Sequence, residues 1–507
     1  MSDSNQAGRQ GEFRGDVTRD TFEPAKHFTR VLMQQGRVQL DADWNEQTSI
    51  LLHYLRSLAA DLIGPHGGPD EGFKIESATV GKDSLTFKAT AGRYYVDGIL
   101  CETDEIVFTT QPRSFPPAAG PYLVFLDVWE RHITCHEDGD ICEVALGTLD
   151  TATRAQVVCQ VIVPPPIFPD KTELYDQATL KTDVEKRTAA KDNAAIDATQ
   201  KVLDGFADDV RKKLVALGNA SLRARARVGA VADAPCAISP ASQYRGAENQ
   251  LYRVEIQRGG SAWDRTRDQE TRQPAGDASQ AATFKWSRDN GSVFFPVRTL
   301  AGDSVKLATL GPDGRRSLKK DDWVEIVDDD LALQGRAGLL RQIQDIKPDE
   351  MTVILSAPVP QTYDEESTTH PLLRRWDQSS SDGDVADNAL LLTESSGEDV
   401  SNWITLEDGV QIQFPPPSAE GAHNTYRAGD YWLIPARVAT GDVLWPKQKT
   451  PTGEVDTYPS GNPIPAALPP HGVEHHYAPL AVISVDGTGN ITEPPTDLRR
   501  KFGPLAQ

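Results

Sequence analysis

Between residues 72 and 165 the apolar side chains recur at every second position, in runs too short and too often broken by Gly, Pro and Asp to be helices. LTFKAT, GRYYVDGILCE, EIVFTTQ, YLVFLDVWE and AQVVCQVIV each read as a strand with one buried face. The same period returns from 229 to about 360, in LYRVEIQ, TFKWSRDNGSVFFPV, DDWVEIVD and MTVILSAP. It returns again after Trp403, in WITLEDGVQIQF, YWLIPAR and YAPLAVISVD. A chain of 507 residues has room for about three or four domains. The expected fold is therefore mainly β and multi-domain, built of small sandwich-like or barrel-like units. Lys319–Pro358 is the stretch that reads as barrel-like.

Two segments break this pattern. Near residue 43 the period changes to that of a helix, with Leu51, Leu55, Leu58 and Leu62 on one stripe, Leu52 and Ala59 widening it, and Gly64-Pro65 as the stop. Asp43 followed by Glu46 has the spacing of a capping box, which places the helix start there. Residues 171–217 lack Pro, and Val202, Phe206, Val210 and Leu214 form an i, i+4 stripe flanked by Leu203, Ala207 and Leu217. This predicts a helical insertion whose first half, Leu180 to Ala198, is solvated or faces a partner. The expected organisation is a disordered lead-in at 1–12, an N-terminal docking segment and helix at 13–66, and a β domain at 67–170. The helical insertion at 171–228, a second β domain at 229–376, and a linker with a C-terminal β domain at 377–507 complete it. Pro164-Pro165-Pro166 and the SSSDGD segment read as linkers.

Charge narrows the function. With 74 acidic and 52 basic residues the net charge is -22, which argues against a nucleic-acid or anionic-membrane surface as main partner. No run of 18 apolar residues and no apolar leader is visible, so the expectation is cytoplasmic synthesis without a signal peptide or membrane insertion. The five cysteines, at 101, 135, 142, 159 and 236, are few and odd in number, as expected of thiols in a reducing compartment.

Each candidate for chemistry has a plainer explanation. Asp41-x-Asp43-x-Asn45 lacks the Gly and the distal carboxylate of a calcium loop, and capping accounts for it. His132, Cys135, His136 and Cys142 could supply four zinc ligands, but a hairpin with thiols in or near its core fits their spacing better. His471, His475 and His476 lack the order of a metalloprotease motif. Asp127 and Glu130 would need to face each other across a substrate to act as a glycosidase pair. No nucleotide-binding or nucleophile-elbow motif is present, so no catalytic, cofactor or metal residue is assigned. Of the nine tryptophans, Trp129, Trp286, Trp323 and Trp432 sit in strand-like runs and most of the nine are expected core; Trp44, at the first turn of the helix, is the one expected to touch a neighbour.

The segment GDVTRDTFEPAKHFTRVLMQQGRVQLDADWNEQTSILLHYLRSLAADLIGPHGG resembles the N-terminal signature of an uncharacterised family found in gene clusters for phage-tail-like contractile injection systems. GRYYVDGILCE, LDVWERHIT, ALGTLDTATRAQVV, FKWSRDNGSV, WITLEDGVQIQF, YRAGDYWLIPARVATGDVLWP and HGVEHHYAPLAVI extend the resemblance over most of the chain. It implies a structural or accessory component of the baseplate or fibre region, not an enzyme. Partners would be other particle proteins (baseplate, spike or sheath-proximal) and further copies of the chain in a symmetric assembly, with the particle open to release outside the cell. Phe22, His27, Phe28, Arg30, Met33, Arg37 and Trp44 have the aromatic, Met and Arg mix of an interface and are the expected assembly contacts. Two alternatives stand beside this. One is a surface-recognition module that binds a glycan or envelope polymer through exposed tryptophans such as Trp445. The other is a polysaccharide hydrolase using Asp127 and Glu130.

Overall fold

The computed structural model describes residues 11–17, 21–77, 87–108, 119–146, 150–166, 173–216, 218–227, 243–263, 280–311, 314–364, 369–379, 383–417, 423–486, 491–492 and 494–503. The protein is mainly β, with several separate sheets and few helices.

The first body centres on Gly120–Ile133, a strand buried on both faces for most of its length. It lies between Arg154–Ile162 and His476–Val485 in a four-stranded antiparallel sheet. One face of that sheet packs on two three-stranded sheets from residues 66–107, around Phe73, Phe87, Tyr94, Val124, Leu126 and Ile483. The other face is covered by a helical hairpin, Gln177–Ala189 and Asn193–Val215. Asp176 and Asp192 cap its two helices, each accepting backbone N–H bonds from the first turn. The first helix is not solvated as the sequence suggested: Leu180 and Val184 are buried on the sheet with Leu123 and Phe125. In the second helix the inward stripe is Leu203, Ala207, Val210 and Leu214, and Val202 turns out to solvent. Leu217 lies outside the described residues.

The second body is a sandwich. A six-stranded sheet that includes Gln250–Arg258, Thr283–Ser287 and Tyr431–Arg437 faces the three-stranded sheet Arg223–Ala226, Ile404–Thr405 and Val410–Gln413. Tyr252, Trp286, Ile412, Phe414, Trp432 and Ile434 fill the space between. The third body is a closed barrel of six strands, running Phe294–Ala301, Ser304–Leu307, Thr352–Leu355, Leu339–Lys347, Trp323–Val327 and Leu372–Trp376, with the last pairing back to the first. The barrel-like stretch expected at Lys319–Pro358 is thus the middle of a longer unit.

The bodies are nested, not consecutive. The barrel enters the sandwich between Ser287 and Val385, and the sandwich enters the first body between Val215 and His476. Residues 377–507 therefore do not form a unit of their own. Val385–Ala386 and Ala389–Leu391 belong to the sandwich sheet, while His476–Val485 pairs along Gly120–Ile133 from His476↔Val128 to Val485↔Gly120. Of the SSSDGD segment, residues 380–382 lie outside the described residues. Pro164–Pro166 is not a free linker either, since the carbonyls of Pro164 and Pro166 accept bonds from the Tyr175 hydroxyl and the Leu174 N–H.

Candidate assembly interface

The N-terminal segment begins inside the molecule. Residues 1–10 are outside the described residues, but Glu12 already pairs with the long strand: its N–H donates to Glu130 O (2.8 Å), and its carbonyl accepts from His132 N (3.1 Å). Arg253 donates to Phe13 O, Asn290 to Gly15 O, and the Tyr431 hydroxyl to Gly11 O. Arg14 reaches Glu255 at 2.9 Å. The expected lead-in therefore ends in a plug where the three bodies meet.

Past residue 21 the chain leaves the body. Thr21 Oγ1 donates to Glu46, and Val31 N to the Gln47 side chain (2.9 Å). A turn at Gln35-Gly36, with Gly36 at φ +71, reverses the chain. From His27 to Leu40, Val31 alone is other than exposed. This arm leads into the helix α1, Asp41–Ile63. The N-cap is Leu40, and Asp43 stands three residues inside it, accepting from Leu40 N (3.1 Å). The sequence reading set the start at Asp43; a carboxylate at the third helical position bonds back to the cap, and so imitates a cap residue. Gly64 and Pro65 end the helix as expected, with Gly64 N donating to Ala60 O.

The way α1 sits on the body is inverted. Ala42 and Ile50 are its only buried residues, Arg56 donates to Glu130 (2.8 Å), and Gly98 comes so close to the Arg56 carbonyl that a Cβ would collide with it. The apolar stripe points the other way. Leu51, Leu55, Leu58 and Leu62 are each more than half exposed, and Trp44 is 64% exposed. Of 25 large hydrophobic side chains exposed among the described residues, 12 lie between Phe28 and Leu62, which marks this region off from the rest of the surface.

The expected contact residues fall on this surface with one exception. Phe28, Met33 and Trp44 are more than half exposed, and His27, Arg30 and Arg37 stand beside them in solvent. Phe22 is partly covered, with its ring 5.5 Å from that of His53, so it ties the arm to α1. Sequence reasoning missed Leu32, Val38 and Leu40, exposed on the same arm, and left open what the leucine stripe packs against. The regular spacing of that stripe from Trp44 onward was the available signal.

The remaining candidates are taken apart by the geometry. Cys135 and Cys142 are joined in a disulfide, not free as expected, which removes both from any thiolate ligand set. Their positions across a short turn bring the Cα atoms to 5.2 Å. Cys101 and Cys159 are free thiols, and Cys236 lies outside the described residues. Burial, helped by the nearby Arg374, pushes His132 down to about 4, and burial lowers His136 as well. Asp127 and Glu130 stand three apart on one strand and so point to opposite faces. Asp127 is fully buried and accepts from His475 Nδ1 (2.7 Å), while Glu130 is held by Arg56.

The three C-terminal histidines go to separate partners. His471 Nδ1 accepts from Leu433 N, with burial and Arg253 pushing its pKa down to about 4; His475 binds Asp127; and His476 donates to Asp97 (3.1 Å). His475 and His476 line a cleft of about 370 Å³ between the helical hairpin and the sandwich, with Arg211, Lys212, Arg427 and Asp430. Trp445 is buried and donates to Ala466 O, so it offers no sugar platform, and of the nine tryptophans Trp44 alone is exposed. No described helix is long and apolar enough to cross a membrane.

The chain matches the model of a family of unknown function, DUF6519, over residues 13–221 and 210–493, and it belongs to that family. No curated protein and no solved structure matches it.

Proposed function

We propose that this protein is a structural component of a phage-tail-like contractile injection particle, placed in the baseplate or fibre region and held there by the arm and α1. The observation that carries the reading is the outward apolar surface from Phe28 to Leu62, mounted on a body whose own cores are closed without it. An apolar face of this size stays in water only at a cost, and burial against a neighbour removes it. The resemblance of the arm to the signature of proteins from injection-system clusters supplies the kind of neighbour. Hydrolysis loses its carboxylate pair, and glycan binding loses its tryptophan platform.

Mass spectrometry of sheathed particles sedimented from the native host tests this, with strains lacking the sheath protein or lacking this protein as controls. The chain is expected to pellet only when sheath is made. An F28A/M33A/W44A variant is expected to stay in the supernatant while folding normally. Deleting residues 13–44 would be a poorer test, because it also removes Arg14 from the junction. A chain that stays soluble whether or not sheath is present overturns the reading.

A further inference from the structure

We propose that the partner on α1 is α1 itself, with three or more copies of this chain packing their helices around a common axis. The proposal rests on reading this helix as an assembly surface and adds what covers it. Trp44, Thr48, Leu51, Leu55, Leu58 and Leu62 are spaced 4-3-4-3-4, the alternation that keeps one seam facing a neighbouring helix over nearly three heptads. The residues that touch the body, Ala42, Ile50 and Arg56, lie away from that seam, so the helix is anchored on one side and free on the other.

The flanks of the seam set the number of copies. Two-stranded coils carry charged residues beside the seam, where these stay wet and choose the partner. Here the flanking positions are Asn45, Leu52 and Ala59 on one side and Gln47, Tyr54 and Asp61 on the other. Leu52 and Tyr54 are exposed in the single chain and would remain so in a pair. Each helix covers both flanks only when it has a neighbour on either side, which requires at least three. A closed ring of identical helices around one axis is cyclic, so its members run parallel and in register.

The area suffices. The exposed large apolar residues of α1, at 41% (Leu52) to 69% (Leu62) exposure, add up to roughly 800 Å², about the area each partner contributes to a standard stable interface. A lipid surface is the poorer occupant. α1 carries four acidic residues, Asp41, Asp43, Glu46 and Asp61, against one basic residue, Arg56, whereas interfacial helices are rich in Lys and Arg.

The test is the mass of the purified full-length protein by light scattering on a sizing column. The expected value is at least three times 55.4 kDa, falling to one chain in an L55E/L58E variant whose circular dichroism is unchanged. Because like residues meet in a parallel ring, L55C is expected to cross-link between chains under mild oxidation, and S57C, exposed on the same helix but off the seam, is not. A wild-type mass of one or two chains, an L55E/L58E mass equal to wild type, or a single chain that binds lipid vesicles through α1 overturns the proposal. Particle association by a protein that is monomeric when purified would leave the assembly function standing and hand α1 to a different partner.

Discussion

The junction around Glu255 and the outer face of α1 are built from opposite materials. At the junction the charges are inside. Glu255 accepts from Arg14 (2.9 Å) and Arg253 (2.6 Å) and forms an ion pair with Lys285 (3.2 Å), while Glu325 forms an ion pair with Lys285 (2.7 Å) and accepts from the Trp376 indole N–H (2.9 Å) and Gly338 N (2.8 Å). Arg253 also lies over the Tyr431 ring and Lys285 over Trp376. On α1 the leucines are outside. Buried charge tolerates no missing partner, whereas exposed leucine asks for one. The junction's charges are thus paired within one chain, drawing on the plug, the sandwich and the barrel, although Arg14 Nε, Arg253 Nη2 and Lys285 Nζ have no hydrogen-bond partner among the described residues. The helix face is left uncovered by the described residues of the chain.

Breaking the junction is expected to give the largest effect. Burial pushes the Glu255 carboxyl up, but Arg14, Lys285 and Arg253 together outweigh it and hold its pKa well below the ordinary carboxylate range. Glu255→Ala leaves Arg14, Arg253 and Lys285 buried without their shared counter-charge, with Glu12 and Glu325 still pairing Arg14 and Lys285, and is expected to cost about 3–5 kcal/mol in denaturant unfolding. L55E/L58E, two charges added to an exposed face, is expected to stay within about 0.5 kcal/mol for the isolated chain. Equal losses in the two variants would mean that α1 is part of the monomer's core after all, and the contrast would fail.

Acid sharpens the same contrast with a smaller effect. His132 lies against the junction, and burial, with Arg374, Arg14 and Arg253 nearby, lowers its pKa from 6.5 to about 4. Above pH 6.5 it is neutral in both the folded and the unfolded chain and contributes no pH dependence. Between 6.5 and about 4 the unfolded chain takes up a proton that the folded one refuses, so stability falls as pH falls and levels off below the folded value. Unfolding midpoints measured at pH 7.5 and 5 are expected to differ less in His132→Gln than in wild type, by about 1–2 kcal/mol. An unchanged pH slope in that variant would show that His132 is already wet.

The two regions also differ in how much of them could be read from sequence. The leucine stripe of α1 was visible, but its direction was not, because a face buried in the same chain and a face buried in a neighbour follow one pattern. Strand periods were visible in the same way. Yet Arg253 and Glu255, alternating with Tyr252, Val254 and Ile256, look like the solvent side of a strand, and they are buried because the barrel and the plug close over them. The return of His476–Val485 to the first sheet is a pairing across more than 340 residues, which no local pattern records. A compartment argument makes Cys135 and Cys142 thiols, but the turn between them brings their Cα atoms to 5.2 Å, within disulfide reach.

The smallest effect is the one that isolates the outer face. Trp44 has the largest exposed side chain of α1, it opens the seam, and among the described residues no hydrogen bond ties its indole to the body, although its backbone carbonyl accepts from Thr48. Trp44→Ala is expected to change the unfolding free energy of the isolated chain by no more than about 0.5 kcal/mol, since little of its area leaves water on folding. In the assembled state the same side chain would be covered, and its truncation at a buried interface position is expected to cost about 2 kcal/mol or more of association. A concentration series of sedimentation profiles separates the two quantities. Loss of self-association with an unchanged melt of the dissociated chain assigns Trp44 to the neighbour. A melt lowered as much as the association would place its role inside the single chain.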